Sequence, residues 1–596
     1  MKTANRYFAF YITLPFVLAG LITSCKKQLD LEPQSAFDEQ YVFSNVTNAT
    51  AALVGVYNEL AGDFGYGSRL STFYPYDTDE MLGILNTSTP DNSSRDLSRY
   101  NLQSTNAQLE GPFNQLYAGI ERANICIKNI PNMDLYKNGT ASEVMQLQRL
   151  YGEALTLRAQ FYFELIRNWG DVPALFDPAI DQPDLFLAKA DRDSIYNHVL
   201  DDLKLAATLL PWRNEAGATN DERITKGAAK ALRARIALFA GGYSLRRPSN
   251  QMQRRDDYLT YYQVAKDECN DIMQRRDAHT LNPSFKAVFK DAIDAHKTDP
   301  YGEVIFEVAM AGGNGVSDSK IGYYDGPRFY VPGNSTLLGN GQIRVVPTYF
   351  YAFDSLDTRR DVTNAPYYNA ADATKTVQTM INMTSGKFRA DWITNPAPSS
   401  AVQYLGVNWP LIRFADVLLM FAEADNELSN GPTPAAIAAF EEVRKRGFAG
   451  NANKIGVTPA QKEAFFNAIV NERSFELGGE GIRKYDLIRW NLINQKILDT
   501  RAALTKMLNK TAPYDKLPQS MFYKSKCPDV IWSSSLYQPA ASATPSGYTK
   551  IAWISSITAA YITNVAQLFK PNHSELLPIP QPSIDANPNI TQDYGY

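Results

Sequence analysis

The chain is poor in the residues that most often run chemistry. Its 596 residues include four cysteines and four histidines. Cys25, Cys126, Cys269 and Cys527 form no CxxC pair, and His198, His279, His296 and His573 form no HExxH or other paired spacing. That argues against a structural zinc site or a dithiol redox motif, although one disulfide among the last three cysteines stays open. No GxSxG, Walker loop, protein-kinase set or strand-borne GxGxxG occurs, and the glycine-rich GGNGVSDSKIG lacks the GK[ST] that cradles phosphate. No cofactor and no metal is expected. A net charge of −4 and the lack of a long basic run argue against nucleic-acid partners.

Long uncharged apolar runs are missing too, beyond one. Residues 7–24 carry no charge and follow the positive Lys2 and Arg6, as in a secretory leader. The run is also near the minimum for a membrane helix, so an uncleaved anchor is the competing reading. Its end, LITSC, has the form of a bacterial lipobox: small residues precede Cys25, whose thiol would carry the lipid. The reading is a signal peptide over 1–24, a lipidated tether over 25–37 and one body over 38–596, held at the membrane by its N-terminal lipid.

What is present is a real core and many rings. Apolar residues make up 44% and aromatics 12%, with Tyr (34) outnumbering Phe (29). The apolar fraction excludes global disorder. Tyrosine couples an apolar face to a polar tip, which suits half-buried contact surfaces. Helical spacing dominates residues 40–275 and 411–500. The segment from Gln40 places Ala51, Val54, Tyr57 and Leu60 on one face. The next places Leu116, Ile120, Ala123 and Ile127 together. A third places Leu150, Ala154, Leu157, Phe161 and Leu165, ended by Gly170 and Pro173. Leu157-Arg158-Ala159 and Leu232-Arg233-Ala234 sit in similar helices, which suggests degenerate tetratricopeptide-like hairpins. Thr433 reads as an N-cap, Gly447 as a left-handed C-cap, and Thr458 with Gln461 as a capping box. Residues 276–410 and 501–570 are loop-rich, with a short strand in EVIFEVAM.

Two constellations bear on function. NERSFELGGEGIRKYDLIRW offers Glu472 and Glu476 one turn apart, a spacing that a paired-carboxylate glycosidase could use. The neighbouring arginines make buttressing ion pairs the better reading. Loop aromatics offer the other: Phe73, Tyr74 and Tyr76; Tyr323, Tyr324, Phe329 and Tyr330; Trp392, Tyr404 and Trp409. An aromatic face stacks on the C–H face of a sugar, and neighbouring polar groups bind its hydroxyls. The competing reading is that these rings pack loops onto helices. The ligand-binding candidates are Tyr74, Tyr76, Tyr323, Tyr324, Tyr330 and Trp392.

Several segments together resemble the SusD/RagB family of surface lipoproteins of Bacteroidota. They are ITSCKKQLDLEP, EALTLRAQFYFELIRNWGDVP, IRFADVLLMFAEADNEL, FEEVRKRG, ERSFELGGEGIRKYDLIRW and LLPIPQPSIDANPNITQDYGY, in order along the chain. The resemblance implies a mainly α fold of about four tetratricopeptide-like helix pairs, with an irregular region and few short strands packed against them. It implies a non-enzymatic role at the outer membrane: capture of a glycan and delivery to a SusC-like TonB-dependent transporter. Only Cys25 carries over by motif, as the lipid-attachment residue. Capture of peptides by the same route and a lipid-anchored glycoside hydrolase are the alternatives.

Overall fold

The structure, a computed structural model, describes residues 39–83, 89–215, 220–310, 313–333, 335–393 and 403–596. Cys25, the leader and the tether lie outside the described residues. Among those residues, no helix is long and apolar enough to cross a membrane.

The molecule is mostly helical. The scaffold helices are α1 (Val46–Asn58), α2 (Ala107–Asn129), α3 (Ala141–Trp169), α4 (Arg192–Leu209), α5 (Lys226–Ala240) and α6 (Tyr258–Met273). After the short α7 (Ile321–Tyr324) come α8 (Phe414–Leu428), α9 (Pro434–Gly447), α10 (Lys462–Leu477), α11 (Arg483–Arg489) and α12 (Ile493–Leu508). Each helix from α2 to α6 packs on the next, and α6 then packs on α8. The helical stack therefore continues across the loop-rich insertion as though it were not there. Helices α9 and α10 both pack on α8.

The repeated Leu-Arg-Ala triplets have one job. Arg158 of α3 donates from Nε to Asp202 of α4 at 2.9 Å, and Arg233 of α5 pairs with Glu268 of α6. Each arginine ties its helix to the following one. Helix α3 is capped by Thr140 and Glu143, whose side chains and backbone amides exchange hydrogen bonds. It ends where Gly170 takes φ +79°.

Three local readings are corrected. In α1 the buried face is Ala49, Leu53 and Val56, one register away from that expected, and Val54 is 52% exposed. Asn45 caps the helix by accepting from the Asn48 amide. Gly447 is not a left-handed cap. It lies within α9, and a Cβ there would fall 2.5 Å from Arg359 Nε. The left-handed residues are Ala449 and Gly450. Thr458 forms no capping box, since its hydroxyl bonds Glu441 and α10 starts only at Lys462. Thr433 caps α9 as read, accepting from Ala436 N.

Short strands organise the insertion. They are β1 (Met81–Leu82), β2 (Val304–Val308), β3 (Phe329–Tyr330), β4 (Leu337–Gly339), β5 (Arg344–Val345), β6 (Asn364–Ala365), β7 (Tyr367–Asn369), β8 (Lys375–Val377), β9 (Thr384–Ser385) and β10 (Trp409–Arg413). One sheet has the order β1-β5-β9-β6, another β8-β7-β3-β4, and β10 pairs with β2. The β2–β10 pair is buried throughout and feeds straight into α8, which anchors the insertion to the helices. The C-terminal segment then returns to α3: Leu577 N donates to Asn168 O at 2.7 Å, and Trp169 Nε1 to Pro578 O at 3.0 Å.

Candidate functional site

Three loops meet on the face carried by the insertion. Asp63 N donates to Gly315 O and Lys320 N to Gly67 O, both at 2.8 Å, while Leu405 N donates to Ser319 O at 3.1 Å. Buried Asp318 accepts from the amides of Gly313 and Gly406, locking the second loop to the third. The approach of the first two loops needs glycine. Gly62 has φ +76°, and a Cβ there would stand 2.3 Å from Val316 O.

These loops bring together Asp63, Phe64, Lys320, Tyr323, Tyr324 and Tyr404. Lys320 Nζ and Tyr404 Oη both donate to Asp63 Oδ2 at 2.9 Å. The lysine also lies 4.8 Å from the centroid of the Tyr404 ring. Burial first, then the hydrogen bond to Asp63, pushes the Tyr404 hydroxyl up to about 12, so it remains a donor at neutral pH. Asp63 Oδ1 has no hydrogen-bond partner among the described residues. Phe64 is 43% exposed, and Val316 on the second loop is 69% exposed. Tyr323 and Tyr324 meet edge to face at 5.2 Å, and Phe73 supports Tyr324 from behind at 5.5 Å. A cavity of about 460 Å³ adjoins this ridge, lined in part by Tyr57, Ala61, Glu222, Met310 and Ser317. The result is a row of rings set beside a fixed carboxylate, ammonium and hydroxyl. Such a surface can stack on a flat apolar face and bond hydroxyls at its edge.

The sequence candidates divide. Tyr323 and Tyr324 lie on the ridge, half-buried. Tyr330 is half-buried on β3 and faces Tyr368 at 6.4 Å, apart from the other two. Tyr74, Tyr76 and Trp392 are withdrawn into the protein, with 1%, 3% and 8% exposure, and are corrected to packing residues. Tyr74 packs edge to face on Trp169, and its main-chain oxygen accepts from Lys484. Tyr76 donates to Asp325 at 2.9 Å. Trp392 is covered by the Arg389 guanidinium, 4.3 Å from its ring. Asp63, Phe64 and Lys320 were not singled out from the sequence. The short glycine-flanked AGDFGYG was the signal for them, since closely spaced glycines mark a loop that another backbone approaches closely.

The acidic motif resolves into two buried ion networks. In the first, Asp357, Glu472, Glu476, Glu480 and Glu303 meet Arg359, Arg413, Arg446, Lys387 and Arg444. In the second, Asp416, Asp486 and Glu423 meet Arg235, Arg473 and Arg489. Acids and bases are equal in number in each. Glu472 and Glu476 are fully buried. The arginines around Glu476 outweigh burial and hold its carboxyl well below the usual range. A carboxylate so placed has neither the proton of a general acid nor a route to substrate. Cys126 and Cys269 are free and buried, and Cys527 is free and half-buried.

The chain is similar to known proteins over most of its length. Residues 358–596 match the SusD family, and residues 27–238 match a SusD-like family described as starch-binding and associating with the outer membrane. The stretch between the two matches carries α7 and β3. SusD-like protein P25 of Formosa agariphila is 24% identical over 83% of this chain and 92% of its own. A SusD homolog of Bacteroides thetaiotaomicron superposes with a TM-score of 0.76 at 23% identity, covering 95% of this chain and all of that one. A laminarin-binding SusD-like protein superposes at 0.63 and 21%, covering 93% and 100%. In architecture as in sequence, the chain belongs to the SusD/RagB family.

Proposed function

We propose that this protein captures oligosaccharides at the cell surface without catalysis and passes them to a TonB-dependent outer-membrane transporter of the SusC type. The observation that carries the reading is the three-loop ridge, where open rings stand beside the Asp63–Lys320–Tyr404 group. Saturation of the Glu472–Glu476 pair supports binding over hydrolysis. So do two relatives of the same fold, one described as laminarin-binding and one solved with laminarihexaose. The ligand residues in this reading are Phe64, Tyr323, Tyr324 and Tyr404, with Tyr330 at the margin. Cys25 carries the lipid that holds the protein at the outer membrane. Calorimetry of the purified protein against neutral and charged oligosaccharides, with product analysis, tests the reading. Binding with intact oligosaccharide recovered is the expected result, and release of reducing ends would overturn it. Metabolic labelling with a fatty acid tests the anchor: label should enter the wild type and be lost in Cys25→Ala.

A further inference from the structure

The arginines divide sharply by partner. Among the described residues, every arginine except Arg69, Arg328, Arg344, Arg389 and Arg501 has a carboxylate oxygen within 4.0 Å. Three of the five, Arg328, Arg344 and Arg389, lie in the loop-rich stretch 276–410. Arg69 is bonded to Gln108, and the buried Arg389 is satisfied by main-chain oxygens and Tyr367. Arg501, on α12, donates to the main-chain oxygens of Val565 and Ala566.

That leaves two guanidinium groups short of acceptors. Arg328 precedes β3, is half-buried and makes no side-chain hydrogen bond or ion pair with any described residue. Arg344 on β5 is half-buried, and among the described residues its side chain donates only to Asn382 O, at 2.6 Å. A half-buried arginine normally recovers its lost hydration through a carboxylate, as most others here do, or through several neutral acceptors, as Arg389 does.

The fold brings their backbones near each other. The chain after β4 bonds back to α7, with Asn340 N donating to Tyr323 O and Gln342 N to Tyr324 O. Gly341 between them runs against Arg328, where an added Cβ would come within 2.8 Å of Arg328 N. Arg344 follows three residues later. Burial first, and the charge of Arg328 second, hold Arg344 below the usual arginine range. Tyr330 and Tyr368 stand on the adjoining strands β3 and β7. By contrast Lys320, on the ridge, is already neutralised by Asp63.

We propose that Arg328 and Arg344 form an oxyanion site beside the ridge, so that the glycan taken by this protein carries negative charge. The inference rests on the glycan-binding reading and narrows its substrate class. A uronate carboxylate and a sulfate ester share the required chemistry, a planar or trigonal set of anionic oxygens that a guanidinium fork meets with two bonds. Tyr330 would lie against the ring that carries the charge.

The test uses matched oligosaccharide pairs: oligogalacturonate against its methyl ester, and sulfated carrageenan oligosaccharides against their desulfated forms. Binding is measured at low and high salt for the wild type, Arg328→Gln, Arg328→Lys and Arg344→Gln. One charged member should bind about tenfold or more tightly than its neutral partner, and weaken with salt. The pair that shows this identifies carboxylate or sulfate as the ligand group. Arg328→Gln should erase the preference, and Arg328→Lys should keep part of it. Arg328 contributes no side-chain bond to the fold, so its variants should melt with the wild type even if Arg344→Gln does not. Equal binding of charged and neutral members, or a preference untouched in Arg328→Gln, overturns this inference and leaves the parent reading standing. Failure to bind any member, or any neutral oligosaccharide, overturns both.

Discussion

Arg359 donates to Glu472 at 2.6 Å across 113 positions of sequence, and neither side chain reaches solvent. The same guanidinium holds Asp357 and Glu476. Removing it takes from buried Asp357 its one cation among the described residues, and leaves Glu472 to Arg444 and Glu476 to Arg413 and Arg446. Arg359→Met should therefore destabilise the protein by roughly 3–5 kcal/mol. Urea unfolding at neutral pH measures this, and a loss under about 1 kcal/mol would mean that water or a rearranged partner replaces the arginine.

Gly447 supports that contact by its emptiness. Alanine elsewhere in a helix is favoured over glycine, yet at this position the new methyl meets Arg359 at 2.5–2.7 Å. Gly447→Ala is expected to destabilise by about 1–3 kcal/mol. A stabilised variant would show that the guanidinium has room to move aside.

His279 should make the fold acid-sensitive. Its Nδ1 faces Gly302 O at 2.8 Å, its Nε2 has no hydrogen-bond partner among the described residues, and Trp212 and Phe414 pack nearby. Burial pushes the imidazole down to about 4 from an ordinary 6.5. The unfolded chain thus takes up a proton that the fold refuses. This contribution is intact above pH 6.5 and is lost as pH falls toward 4, to at most roughly 3 kcal/mol. Unfolding free energies across that window should fall for the wild type and fall less for His279→Gln. Parallel curves would count against the assignment.

Glu307 should act in the opposite direction. Its carboxyl is buried, Oε2 lacks a partner, and burial pushes it up to about 8. The fold holds a proton that the unfolded chain releases near 4.5, so stability from this group is present at low pH and lost as pH rises through 8. Glu307→Gln should gain on the wild type between pH 6 and 9, as read by melting temperature. An unchanged difference across that range would show the carboxyl to be ionised throughout.

On the ridge, Tyr323→Ala should weaken oligosaccharide binding about tenfold while barely moving the melting temperature. Tyr324→Ala should lower both, because Phe73 rests against that ring. Equal affinity in Tyr323→Ala and wild type would take Tyr323 out of the ligand surface.

Much of the fold could be read directly. The periodic apolar residues of α3 and α8 announce buried helices, and EVIFEVAM announces β2. What stayed hidden depended on distance. Arg413 reaches Glu303 and Glu480, 110 and 67 positions away, and no local pattern encodes that meeting. The loop rings were ambiguous for a related reason. Tyr74 and Tyr323 have the same chemistry and similarly irregular surroundings, and only the packing of Trp169 over one and not the other decides which is core. In α1 the apolar residues are dense enough to offer two faces, and packing on α2 and α3 selects between them.

The return of the C-terminal segment to α3 has a consequence for how the chain is made. Trp169 waits for Pro578, 409 residues downstream, before its indole nitrogen finds its partner. Lys189 likewise waits for Thr591 and Asp593. Because synthesis is vectorial, the first half of the protein leaves the ribosome without the strap that closes it. A chain shortened by its last twenty residues would lose a seam in its N-terminal half rather than a dispensable tail.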